Sequence, residues 1–324
     1  MSIVNHEKTV NHISNWIKGY AAKAGVKALI LGLSGGVDSA LVALLCKKTG
    51  LPLICVNMPC HSSSNAYNRA RAFADEYGLH IDKVDLSAAH EVVYAQAKVA
   101  NFPFEGNNEN PIAVGGLRSC LRAPTLSYFA NAYRGIIVGT GNRSEDNITR
   151  YFQKYGDGCV DISPIADLFK SEVYELFAYL SQEMRSDKGL RLADSSVMSR
   201  EVNVTFMPVG ALAIFEAKPT ADLWGPDSGQ EDEKELGISY DEIEWADRED
   251  MRTQGDIGRA YNPISSPGII FSDKDPTKRP DFYRYTSRQQ TVLAKLHQME
   301  KISRHKMNPN LPVCQVRSVL GLVK

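Results

Sequence analysis

Ser34-Gly35-Gly36-Val37-Asp38-Ser39 is the first stretch of this chain whose residue types can do chemistry. Two glycines let a backbone curl close to an anion, two serines add hydroxyl donors, and a following helix offers unpaired N–H groups. The turn suits phosphate. Asp38 is an unexpected neighbour for polyphosphate unless a cation stands between them, which makes it a candidate magnesium ligand. The plainer alternative is a tight strand-to-helix turn with Asp38 favouring the helix dipole. The segment lacks the lysine of a GxxxxGK[ST] loop and does not fit GxGxxG, so Walker-type and simple dinucleotide-binding readings both lose ground.

Two further blocks carry charge in the same way. Gly139-Thr140-Gly141-Asn142-Arg143-Ser144-Glu145 offers a carboxylate at Glu145 that could complete a magnesium site with Asp38, since hard cations take carboxylate and phosphate oxygens; taken alone, the block reads more plainly as a Gly-Asn turn with an exposed glutamate. Lys154-Tyr155-Gly156-Asp157-Gly158, followed by Asp161, Pro164 and Lys170, sets two lysines among carboxylates, as suits an anionic substrate in phosphoryl or adenylyl chemistry. No cysteine has a convincing histidine partner in the sequence, so no covalent enzyme intermediate is expected.

The elements that must position these residues can be read from hydrophobic periodicity. Val10, Ile13, Ile17, Tyr20, Ala21 and Ala24 share a helical face that Gly25 ends. Ala28 to Leu33 is too short for a helix and reads as a buried strand. A helix follows with Val37, Ala40, Leu41, Leu44 and Leu45, then a strand over Leu53 to Met58. Ser64 is the expected N-cap of a helix to Tyr77, His80 to Leu86 a short strand, and a further helix runs to about Ala100. A loop is expected from Asn101 to Gly116, a helix from Leu117 to Tyr133, and a last strand from Gly135 to Thr140. Alternating strands and helices imply a doubly wound parallel sheet, α/β and Rossmann-like, with helices on both faces and ligands at the carboxyl ends of the strands. The apolar stretch from Met207 to Ala217 reads as core or interface. Polar, aperiodic stretches near 185–207 and 247–285 read as insertions in a single domain over 1–324, and a last amphipathic helix spans about Arg288 to Ile302.

With 37 Lys+Arg against 38 Asp+Glu, the chain lacks the cationic surplus needed to coat a nucleic acid. No apolar run reaches the length of a membrane span and no secretory signal opens the chain, so no membrane partner is expected. The six cysteines form no CxxC pair and read as reduced thiols of a cytoplasmic protein.

The SGGxDS turn resembles that of the PP-loop ATP pyrophosphatases, which cleave ATP between the α and β phosphates. Within them the chain resembles the NAD synthetases, through Gly139 to Glu145, Lys154 to Gly158, Pro219-Thr220-Ala221-Asp222-Leu223, Asp232-Glu233 with Leu236-Gly237 and Tyr240-Asp241, and His305-Lys306. The resemblance implies a ligase that amidates deamido-NAD with ammonia, through an adenylated intermediate, releasing AMP and pyrophosphate. It implies that Gly32, Leu33, Ser34, Gly35, Gly36, Val37, Asp38 and Ser39 hold ATP together with Thr140, Lys170 and Thr220, and that Asp38 and Glu145 bind Mg2+. Lys154, Asp161, His305 and Lys306 would contact deamido-NAD, and Asp157 the incoming ammonia, with Asp38, Asp157 and Lys170 as the catalytic set. Family members carry an Arg-x-Arg pair ahead of the last strand; here Arg122 matches the second arginine and Cys120 stands at the first. Arg118, one helical turn before Arg122, is the expected replacement. A homodimer is also implied. The chain begins about 30 residues before the turn, so free ammonia, or ammonia from a separate glutaminase, is the expected nitrogen donor. Rival readings are another PP-loop ligase, of the GMP synthetase or tRNA-modifying kind, and a non-catalytic ATP sensor.

Overall fold

The computed structural model describes residues 3, 5–100, 102–103, 106–184, 207–221, 223, 229–253 (backbone only over 250–253), 282–303, 306, 314 and 316. Helix α1 (His6–Ala24) opens on Asn5, whose side chain accepts a hydrogen bond from the Lys8 amide, and closes on Gly25 at φ 68°. Its buried face, Val10, Ile13, Ile17 and Ala21, has the helical spacing that the sequence shows.

Strand β1 (Ala28–Gly32) leads through the glycine turn into α2 (Val37–Lys48), which is buried almost all round and packs between α1 and α6 (Lys170–Glu183). The chain continues through β2 (Leu53–Asn57), α3 (Ser64–Glu76), β3 (Ile81–Lys83), α4 (Ser87–Lys98), α5 (Pro111–Tyr133) and β4 (Gly135–Ile137). Among the described residues the sheet is parallel, in the order β3-β2-β1-β4, with Leu29 opposite Leu53 and Ile136. The chain therefore winds outward from β1 on one side and returns to β4 on the other, so the two strands whose ends carry the charged blocks flank the point where the winding reverses.

Both faces of the sheet are covered. Leu29, Leu31 and Leu33 point into the main core with α1, α2, α6 and α7 (Val209–Phe215). On the opposite face Val56, Met58, Cys60 and Leu86 pack with Leu121, Leu126 and Phe129 of α5. The apolar stretch from Met207 is core here, since Met207, Ala211, Ile214 and Phe215 are buried. A second apolar cluster joins α8 (Asp232–Leu236), α9 (Tyr240–Thr253) and α10 (Ser287–Ser303) to Ile148 and Phe169.

Several local expectations are corrected. Ser63, not Ser64, is the N-cap of α3. The third strand keeps only the middle of His80 to Leu86. Helix α5 starts at Pro111, inside the expected loop, because the Asn110 side chain accepts from the Ile112 amide and Pro111 fits the first helical turn. The insertions expected near 185–207 and 247–285 fall mostly outside the described residues; of the second, residues up to Thr253 are helical and Phe282–Arg284 is a 3-10 turn followed by Tyr285.

Candidate active site

Gly35 adopts φ 91°, and a Cβ there would sit 2.3 Å from the Ala66 carbonyl oxygen of α3, so only glycine fits both the backbone and the space. The Ser34 and Ser39 hydroxyls are 3.0 Å apart, and Ser39 Oγ donates to the Gly36 carbonyl at 2.9 Å. Arg69 of α3 donates to the Gly35 carbonyl at 3.2 Å. The turn is thus held from both sides with its helix N-terminus at the carboxyl end of β1, beside the half-buried Thr140 that follows β4.

The element that presents Glu145 is a π-helical turn, Arg143–Thr149, capped by the Asn142 side chain accepting from the Glu145 amide at 3.1 Å. The same side chain donates to Asp38 Oδ1 at 2.9 Å, tying the turn to the start of α2. Arg143 is buried and anchors this element to Asp247 of α9, with Nε to Oδ2 at 3.0 Å, and to Asp167. Arg150, at the end of the turn, donates to the Glu300 carbonyl of α10 at 3.0 Å.

Asp38 and Glu145 meet at Lys170. The lysine, on the first turn of α6 and 3% exposed at its side chain, donates to Asp38 Oδ2 at 2.6 Å and to Glu145 Oε1 at 2.8 Å. Burial alone would lower the Lys170 pKa, but the two carboxylates outweigh it and the ammonium is held charged. Burial raises the Asp38 carboxyl despite Lys170, with the Glu145 charge adding to the rise. Glu145 is lowered: its own burial is outweighed by Lys170 and by the Tyr240 hydroxyl, which donates to Oε1 at 2.6 Å. One cation thus serves two carboxylates, leaving the pair short of positive charge.

Further acidic groups crowd the same place. The half-buried Asp146 carboxyl lies against the backbone at Gly141, where a Cβ would come within 1.7 Å of its Oδ2. Burial, then the charges of Asp157, Glu145 and Asp38, raise it well above the usual carboxylate range. Asp232 approaches the Tyr240 hydroxyl at 3.2 Å, and burial, with Glu145 next, pushes it up to about 7. A phenol has a single proton, and the Tyr240 hydroxyl is placed to donate it to Glu145 Oε1 at 2.6 Å or to Asp232 Oδ2 at 3.2 Å. Asp146, Tyr240 and Asn142 were not singled out as site residues from sequence. The signals were Asp146 beside Glu145, Asn142 in the same block, and Tyr240 in the Tyr240-Asp241 block.

Asp157 lies on a loop that glycines press against α5: a Cβ on Gly156 would meet Ser119 Oγ at 2.2 Å, and one on Gly116 the Gln153 amide at 2.9 Å. Its Oδ1 accepts from Ser119 Oγ at 2.8 Å and from the Gln153 amide at 2.9 Å. The residue is exposed, yet desolvation by the protein around its carboxyl raises it, against the Gln153 and Ser119 hydrogen bonds. Lys306 donates to the carbonyls of Arg150 and Phe152, at the start of this loop. Lys154 lies over the Tyr155 ring. Arg122 is close enough to Asp157 for its charge to act there.

Other expected residues are placed differently. Asp161 spends Oδ2 on the Ile137 amide at 2.7 Å, which completes the edge of β4. Arg118 donates through Nη1 to the Leu223 carbonyl at 2.7 Å, while its Nε is buried without a partner. Thr220 is exposed on the segment before α8. His305 lies outside the described residues. Cys60, His61 and His90 bring one possible ligating atom each within 4.8 Å of one another, and the His61 amide donates to Ser87 Oγ at the start of α4 at 3.0 Å. His90 is separated from Cys60 by helix α3 and strand β3, so no local spacing reveals it.

A parallel, doubly wound α/β protein with an anion-accepting turn and a buried carboxylate–lysine cluster at its switch point belongs among the nucleotide-handling enzymes of this architecture. A profile of the family described as NAD synthase matches residues 9–257, and the chain belongs to that family. An NH(3)-dependent NAD(+) synthetase of Archaeoglobus fulgidus is 34% identical over 250 residues, which is 74% of this chain and 83% of that protein. One from Carboxydothermus hydrogenoformans is 33% identical over 74% of this chain and 85% of its own length. Among solved structures, an NMN synthetase from Francisella tularensis superposes with a TM-score of 0.65 at 23% identity, covering 94% of this chain and 96% of that one. An NH3-dependent NAD synthetase from Campylobacter jejuni superposes with a TM-score of 0.59 at 17% identity, covering 94% and 98%. At these identities the structural matches speak for the fold.

Proposed function

We infer that this protein is a ligase that amidates deamido-NAD to NAD with ammonia at the expense of ATP. The observation that carries the reading is the convergence of the glycine turn, Asp38, Glu145 and Lys170 at the sheet's switch point, in a chain whose curated relatives are NH(3)-dependent NAD(+) synthetases. A nicotinate carboxylate is a poor electrophile. Its oxygen attacks the α-phosphorus of ATP, the bond to the bridging oxygen breaks, and pyrophosphate leaves. Ammonia then adds to the acyl carbon, AMP departs with the electron pair of its bond to that carbon, and loss of a proton yields the amide.

Gly32 to Ser39, with Thr140 and Thr220, would hold ATP, pyrophosphate leaving against the backbone N–H groups of the turn. Lys170, a permanent ammonium between two carboxylates, would lend its charge to the phosphates. The donor set of Asp38 and Glu145, two carboxylates sharing one cation, fits Mg2+, which when bound neutralises charge on the phosphates and the leaving group. Asp157, with its carboxyl raised, would hold ammonium and take up its proton as the nitrogen becomes a nucleophile. Arg118, Arg122, Lys154, Asp161, His305 and Lys306 would contact deamido-NAD.

Cytoplasm is the proposed compartment; among the described residues no helix is long and apolar enough to cross a membrane, and their cysteines are free thiols. Exposed Tyr128 and Tyr133 on α5 support a homodimer, and one folding domain fits residues from the first turn to α10 serving one site.

The assay that tests the reading incubates the protein with ATP, Mg2+, ammonium and deamido-NAD and follows NAD and AMP. ADP as product, or turnover indifferent to deamido-NAD, would overturn it. Nicotinate mononucleotide belongs in the same assay as competitor substrate, given the Francisella match, and deamido-NAD is the expected preference. Arg118→Ala is expected to raise the KM for deamido-NAD about tenfold, the loss of roughly one charged hydrogen bond. The KM for ATP should hardly move, and equal shifts in both would retire the assignment.

A further inference from the structure

Cys60, His61 and His90 have no part in the chemistry above. Cys60 and His61 lie on the connection between β2 and α3, and His90 sits one turn into α4. One nitrogen from each ring and the Cys60 sulfur lie within 4.8 Å of one another, and the two rings meet edge to face with centroids 5.1 Å apart. Thiolate with two imidazoles is the donor set of zinc-class ions, whereas magnesium prefers oxygen.

Two observations separate this trio from ordinary packing. His90 is 3% exposed, and its Nδ1 is buried with no hydrogen-bond partner. Its Nε2 stands 3.3 Å from the Val114 carbonyl of α5, where it can donate. That bond fixes the tautomer and leaves the Nδ1 lone pair free, the arrangement by which a backbone carbonyl orients a ligating imidazole. Burial lowers the His90 pKa, so the ring stays neutral and able to ligate. The second observation is that Cys60 is fully buried, too enclosed for a nucleophile that must meet a substrate. Burial raises its thiol, against the opposing charges of Arg122 and Arg118.

We propose that Cys60, His61 and His90 form a binding site for a zinc-class divalent ion, with one thiolate and two imidazole ligands and a fourth position left to water. The ligand atoms of such a tetrahedral site stand about 3.5 Å apart, closer than the 4.8 Å that bounds the three here, so side-chain rotation would draw them in as the ion binds. The thiol proton leaves to solvent as the metal–sulfur bond forms. Bound metal would clip the β2–α3 connection to α4 and, through the Val114 carbonyl, to α5, the helix that carries Arg118 and Arg122.

The test titrates the chelator-treated full chain with Co2+. One equivalent should bring up the intense visible bands of four-coordinate cobalt and a thiolate-to-cobalt charge-transfer band, and Zn2+ should erase both, whereas Mg2+ should not. In Cys60→Ser the charge-transfer band should vanish, and in His61→Asn cobalt affinity should fall at least tenfold, with far-ultraviolet circular dichroism unchanged in both. Absence of the bands under excess Co2+, or survival of the charge-transfer band in Cys60→Ser, would overturn the proposal. Neither result depends on whether the chain amidates deamido-NAD.

Discussion

Asp38→Asn is expected to lower kcat by about 10²–10³-fold, the scale of losing one charged group that acts on the transition state. The substitution keeps the shape of the side chain. An amide oxygen can still accept from Asn142 as Asp38 Oδ1 does, but an NH2 group then faces the Lys170 ammonium, donor against donor. The lysine is left to Glu145 alone, and the carboxylate nearest the turn can no longer hold a divalent cation. Stability should be almost unchanged, because Asp38 is already raised by burial and removing an under-compensated buried charge costs the fold little. Steady-state kinetics over a Mg2+ titration, beside a melting curve, make the check. A kcat within tenfold of the parent would remove Asp38 from the chemistry.

Lys170→Met is expected to affect both activity and stability. Deleting the one cation that, among the described residues, Asp38 and Glu145 share leaves two buried carboxylates facing each other, and breaking a buried pair in this way costs about 3–5 kcal/mol. Turnover should fall at least as far as in Asp38→Asn. The two carboxyl pKa values would then lie above their unfolded values, so the folded state binds more protons than the unfolded one. Stability must therefore fall as pH rises through that interval. Denaturant unfolding at about pH 5 and about pH 8 should show the larger deficit at the higher pH. The double variant Lys170→Met with Asp38→Asn should regain part of the stability and none of the turnover. A single variant as stable as the parent at both pH values would show that the cluster is not held by its ion pairs.

Much of the first half of the fold was legible because its signals are local. The apolar runs of β1 and β2, Gly25 at the end of α1 and the glycine turn each announce themselves within a few residues. Asn110 and Pro111 also carried the start of α5, but the polar stretch around them masked it. The site was legible where motif and strand end coincide, as at Asp38 and Glu145. It was not legible where the contact is distant: Tyr240 reaches Glu145 across 95 positions, and Arg143 reaches Asp247 across 104. A π-helical turn has no periodicity to betray it over seven residues, and the bond from the Ile137 amide to Asp161 Oδ2 joins positions 24 apart.

The anchoring of the π-helical turn bears on how the chain is made. Arg150 is buried against a carbonyl of α10 that lies 150 positions further along. At ribosomal speed that partner follows roughly 8–30 s later. The strands of the sheet all precede residue 138, so among the described residues the sheet is complete in sequence long before the partner that anchors the Glu145 turn exists. The rigidity of that corner is thus set by a late helix and not by the sheet that carries it.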